Sequence, residues 1–161
     1  MGQIPSSILV LQNYWRSLAD GRLPQRHQIN PAAIPALLPY MLIAEFEDAP
    51  FRVRYRLTGT RVDEISHMNL TGHYLDEFAI DIGREPVREL QQHYALCRQS
   101  GQPYIGTYRW PNRDGYLVEV WFGLFPLLID GAVRQCLSIE DYGDLTPGTM
   151  PVDWVAPKPT G

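Results

Sequence analysis

The sequence predicts an α+β fold, a five-stranded antiparallel sheet with helices grouped on one face and an amphipathic helix ahead of it. Three observations carry this. Residues 51–57 (FRVRYRL) alternate apolar and basic side chains with the period of two that marks a strand. Residues 84–100 form the longest helical pattern of the second half, with Gly101 as its stop. Three more strand patterns then follow in succession, PYIGTYRW, GYLVEVWFGLF and AVRQCLSIEDY, separated by the turn-rich PNRDG and PLLIDG. Two strands, then helices, then three strands give an antiparallel sheet with its helices segregated.

Each element has its own signal. In SSILVLQNYWRSLADG, Ile8, Leu11, Trp15 and Leu18 fall on one helical stripe, Ser6 or Ser7 supplies a cap, and Gly21 ends the segment. The other side of that helix still carries Leu9, Val10 and Tyr14, so it needs a second partner besides its own core. Asn30-Pro31 is a helix start, and Pro35 and Pro39 keep that helix short. Residues 41–46 read as a strand, and EDAP turns the chain into the alternating stretch. Gly59 frees the backbone to pass from strand to helix, and TRVDEISH follows with Thr60 as cap. NLTGHYLDEFAI adds a Thr-Gly turn and a short helical piece. In the long helix Pro86 sits in the first turn, and Val87, Leu90, Tyr94 and Cys97 make the apolar stripe. Residues 1–29 are then an N-terminal helix and linker, 30–144 the sheet domain, and 145–161 a proline-rich mobile tail with Trp154 as a local anchor.

Composition excludes several classes. With 161 residues, 45% apolar and 20% charged, the chain can bury a substantial core. A net charge of −4 argues against nucleic acid as the main partner. The longest apolar run, PALLPYMLIA, is broken by prolines and too short to span a membrane, and no secretory signal opens the chain. Cys97 and Cys136 form no disulfide framework and read as buried, reduced thiols of a cytoplasmic protein.

The candidate sites are few. Arg52, Arg54 and Arg56 share the face opposite Phe51, Val53, Tyr55 and Leu57. They read as an exposed row paired with Glu45, Glu47 and Glu119 on neighbouring strands, or as an anion or partner site. His67 and His73 flank the NLTG turn beside Asp76 and Glu77, but that spacing fits no metal signature, and adjacent residues on a helix diverge by about 100°. No nucleophile-base order, phosphate-binding loop or CxxC pair is present, so no catalytic residue is assigned and no enzyme is expected. Tyr55, Tyr74, Phe78, Tyr94, Tyr108 and Phe122 fall on inward faces, where they either line a pocket for a small planar ligand or fill the core.

With the stretches YWRSL–DGRLP, INPAAIPALLPYM and YRLTGTRVDEISHMNLTGHYLDEF, the chain resembles the PAS domains, from about Tyr14 to Glu140. It is most similar to the free-standing bacterial PAS-like proteins with no attached output domain. The resemblance implies a sensor or adaptor that holds a small ligand or a protein against the concave sheet and the long helix, adding Leu90 and His93 to the pocket candidates. It raises haem, because haem-binding PAS domains use a histidine on the corresponding helix. His93, however, lies about 90° from the middle of the apolar stripe, a rim position. Flavin photochemistry needs a cysteine in the mid-chain helical motif, and NLTGHYLDEF has none. The cofactor is therefore unassigned. Three functions follow: a small-molecule sensor that signals through protein contacts, a filled-core interaction adaptor, or an enzyme on a cone-shaped α+β fold. A homodimer through Val10 and Tyr14 is expected with the first.

Overall fold

The structure is a computed structural model that describes residues 2–66, 69–79, 84–111 and 116–143. Helix α1 (Ser6–Ser17) leads into three short 3-10 turns, Arg26–Gln28, Pro31–Ala33 and Pro35–Tyr40. Strands β1 (Met41–Glu47) and β2 (Arg52–Thr58) are followed by α2 (Thr60–Ser66), a 3-10 turn (Leu75–Phe78) and α3 (Arg84–Ser100). Strands β3 (Tyr104–Pro111), β4 (Leu117–Ile129) and β5 (Ala132–Asp141) close the fold. The sheet order is β2-β1-β5-β4-β3, and every neighbouring pair is antiparallel. This is the expected α+β architecture. The tail and its Trp154 lie outside the described residues, as does His67.

Alternation along the strands divides the core in two. Leu42, Ala44, Phe46, Val53, Tyr55, Val120, Phe122 and Cys136 face α2 and α3. Met41, Ile43, Phe125, Leu127, Leu137 and Ile139 face the other way and pack on Ile8, Leu11, Tyr14 and Trp15 of α1. Full burial of a Leu or Ile contributes about 1.5–3 kcal/mol, so α1 is part of the fold's energetics. Its cap differs from expectation. Pro5 occupies the N-cap with no side-chain bond. The Ser7 hydroxyl instead donates to Asp141 Oδ2 in a buried bond of 2.5 Å, tying the helix to the end of β5.

Strand β4 extends beyond the expected stretch, through Pro126 to Ile129, with only Asp130-Gly131 between it and β5. Both turn residues have positive φ (52° and 81°), as a tight two-residue hairpin requires. Pro126 is tolerated because β3 pairs with β4 no further than Leu124, so no strand needs the missing N–H. Its carbonyl accepts from Trp15 Nε1 (2.9 Å), and Leu128 N–H donates to Pro24 O (2.9 Å).

Two expectations about β2 change. A bulge places Tyr55 opposite Ala44 but Leu57 opposite Ile43. The extra residue is Arg56, and parity reverses after it, so Leu57 lies on the α1 side and is 54% exposed instead of joining Tyr55. Gly59, for its part, does not need a left-handed conformation. A Cβ there would lie 2.3 Å from the Pro39 carbonyl oxygen, so glycine is required by close backbone approach, sealed by Gly59 N–H donating to Met41 O (2.7 Å).

Candidate functional site

The concave face of the sheet, α2, α3 and the Leu75–Phe78 turn enclose a small cavity of about 20 Å³. At about 10–15 Å³ per water, that is room for about one water molecule. Its walls are apolar (Val62, Ile65, Leu70, Leu75, Phe78, Leu90), and its polar end holds Tyr55, Tyr108, Glu140 and Tyr142. Glu140 Oε2 accepts from the Tyr108 hydroxyl at 2.7 Å and from the Tyr142 hydroxyl at 2.6 Å. No cationic side chain lines the cavity among the described residues. Burial pushes the Glu140 carboxyl above its usual range, against the pull of the two phenols. Burial, then the Glu140 charge, pushes the Tyr108 and Tyr55 hydroxyls up as well. The site thus offers a carboxyl able to take a hydrogen bond or a proton from something small.

Of the expected pocket residues, Tyr55, Phe78, Leu90 and Tyr108 line this cavity. Tyr94 is buried in the adjoining core, edge-on to Phe46 at 6.1 Å, and Phe122 lies 5.6 Å from Tyr108. Tyr74 lies outside the cavity. Its hydroxyl donates to Glu47 (2.6 Å), and its ring lies under the Arg52 guanidinium at 3.6 Å. His93 is stacked on Tyr104 at 4.3 Å, away from the cavity walls, and burial lowers its pKa. These positions fit no prosthetic group of the haem or flavin kind. The histidine is clamped against a ring, the buried Cys97 and Cys136 are not in the cavity wall, and the space is far below the size such a ligand needs.

Glu140 and Tyr142 were missed in the sequence. The signal was available: period two carries the inward face of β5 from Cys136 through Ser138 to Glu140, which sets a carboxylate on a core-facing position.

Arg52 and Arg56 of the arginine row are ion-paired, whereas the buried Nε of Arg54 has no hydrogen-bond partner among the described residues. Arg52 makes a two-pronged bond to Asp76 (2.8 Å each), and Arg56 lies 3.8 Å from Glu45, which pairs in register with Arg54. Glu119 is no partner, because it sits opposite Arg109 on β3–β4, at the far side of the sheet. Residues 72–73 complete the β2 edge: Tyr55 N–H donates to His73 O (2.9 Å) and Gly72 N–H to Tyr55 O (2.7 Å). Asp76 and Glu77 diverge as expected, since Glu77 pairs with His73 at 2.8 Å. Among the described residues no three metal-ligating side chains converge, and no helix is long and apolar enough to cross a membrane.

Comparison with curated protein sequences gives no match. Among solved structures, a Rhodobacter sphaeroides LOV protein is 8% identical with a TM-score of 0.50, over 76% of this chain and 73% of that one. An RNA-binding light-oxygen-voltage receptor is 14% identical, also at 0.50, over 78% of this chain and 37% of that one. The N-terminal domain of a Marinobacter aquaeolei diguanylate cyclase with a PAS/PAC sensor is 12% identical at 0.47, over 63% of this chain and 94% of that one. At such identities the two structures at 0.50 show a likeness of fold alone. The family model described as "PAS domain" matches residues 3–132, and with the five-stranded sheet and its enclosed concave face it settles the assignment. The chain belongs to the PAS-domain family of sensory modules.

Proposed function

We propose that this domain senses a small molecule at the Glu140 end of the concave-face cavity and reports it through protein contacts, without catalysing a reaction. The observation that carries the reading is a half-buried carboxyl at the end of an apolar cavity, held by two phenols and, among the described residues, by no cation. A core serving stability alone gains little from such a group, because burial disfavours the carboxylate's charge and the two phenols only partly offset that cost. The ligand class is a compact molecule with an apolar body and a hydrogen-bond-donating or cationic head for Glu140. Anything larger than water must push aside α2, whose Val62 and Ile65 form one wall. That displacement links occupancy to the outer surface. A homodimer through the exposed side of α1, where Leu9 is 41% exposed and Val10 half-buried, is the accompanying output contact; Tyr14, expected there, is buried in the core instead.

The size of the cavity favours a second reading, an interaction adaptor with a filled core. Native mass spectrometry of freshly purified protein and of Glu140→Leu separates the two. An excess mass on the wild type that the variant lacks supports the sensor. Bare mass in both supports the adaptor.

A further inference from the structure

The outer face of the sheet is unevenly covered. Helix α1 lies over β4 and β5, and the turns between residues 26 and 40 cover part of β1. Over β1 and β2 an apolar groove of about 340 Å³ is left, lined by Leu38, Pro39, Met41, Ile43 and the bulge-reversed Leu57, with Arg26 at its border. Arg26 has no ion pair among the described residues.

We propose that the groove seats the C-terminal segment of the same chain, residues 150–156 (MPVDWVA), with Trp154 against Leu57 and Asp153 at Arg26. Four features point to this occupant. The described chain ends at Gly143, at the end of the sheet where the groove lies, because Met41 pairs with Ile139 of β5 and Leu42 with Thr58 of β2. The eleven residues from there to Trp154 span up to about 36 Å, whereas β5 and β2 are two strand spacings apart, about 10 Å. The segment combines Met150, Val152, Trp154 and Val155 with an acid beside the tryptophan, matching an apolar groove with one basic border. Pro151 within the segment limits the backbone freedom of the undocked chain, which lowers the entropy lost on docking. The seat covers the β1–β2 edge next to Gly59, where α2 begins, so a displaced α2 and the docked tail meet at one corner of the domain.

The test uses the full chain. The fluorescence of wild type minus that of Trp154→Phe isolates the Trp154 signal. Docking predicts blue-shifted emission and acrylamide quenching several-fold weaker than for a free peptide of residues 144–161. It also predicts that Leu57→Glu, a change at an exposed side chain, returns both to free-peptide values, and that Arg26→Glu weakens the protection. Free-peptide values in the wild type overturn the proposal, as does protection that survives Leu57→Glu. A dimer in sedimentation that Leu57→Glu dissociates while Trp154 stays free throughout overturns it in favour of a second copy as occupant.

Discussion

The Tyr108 hydroxyl on β3 donates to Glu140 on β5 at 2.7 Å, reaching across the intervening strand β4. With Tyr142 on the same oxygen, the carboxyl is bonded, among the described residues, by neutral groups. Its burial raises its folded-state pKa above the ordinary 4.5, so between those two values the folded chain holds a proton that the unfolded chain releases. Stability from this group is therefore present below pH 4.5 and lost as pH rises through the folded value. Glu140→Gln keeps an acceptor and a similar shape but cannot ionise. Its urea midpoint relative to wild type is expected to rise from about pH 4.5 upward and then level off. A difference that stays flat from pH 4 to 8 removes the raised carboxyl from the account.

Gly59→Ala is expected to destabilise by about 1–3 kcal/mol or more, because the new Cβ meets the Pro39 carbonyl backbone at 2.3 Å. Gly72→Ala is the control. That residue has φ of +88° and nothing within 4 Å of an added Cβ, so only left-handed strain of about 1–2 kcal/mol applies. Urea unfolding of the two variants compares them directly. Equal losses would mean that the β1–β2 corner yields and that Gly59 is dispensable there.

Helix α1 carries stability that can be measured one atom group at a time. Ile8→Ala, at a side chain with no exposed surface, should cost about 2–5 kcal/mol. Trp15→Phe keeps much of the packing on Phe125 but leaves the Pro126 carbonyl without its donor, for about 1–3 kcal/mol. Losses below half a kcal/mol in both would show the helix to be a detachable appendage.

Charge placed on the two sides of α1 separates interface from core. Tyr14 is only 4% exposed, with its hydroxyl accepting from Asn30 N–H (2.7 Å) and donating to Asn30 O (3.3 Å), so Tyr14→Glu should unfold the domain. Val10 is half-buried, which makes Leu9 the cleaner probe. Leu9→Glu is expected to give a folded monomer by sedimentation with an unchanged melting temperature. A dimer that persists in Leu9→Glu takes this helix out of the interface.

Much of the architecture was legible because its signals are local. Period two in residues 51–55, the stripe Val87–Leu90–Tyr94–Cys97 and the Asp130-Gly131 turn each carry their meaning within a few residues. What was misread depended on contacts distant in sequence. Ser7 looked like a cap because its neighbours are helical, yet Asp141, 134 residues away, takes its hydroxyl. Pro126 looked like the end of a strand, yet β3 pairs no further than Leu124 and leaves that edge to Trp15 and Pro24. The candidate site was half legible, since aromatic residues on inward faces pointed to Tyr55 and Tyr108 but not to the acid they surround.

The elements, their order and their apolar faces are written into the chain locally, because side-chain periodicity and turn chemistry act over a few residues. Three features arise from the packing of distant segments: Leu57 reverses face after the Arg56 bulge, Gly59 answers to the Pro39 carbonyl, and Glu140 closes a cavity with Tyr108 and Tyr142. Each of these is set by strand register and by which backbone approaches which, and register is a relation between segments that no single stretch encodes.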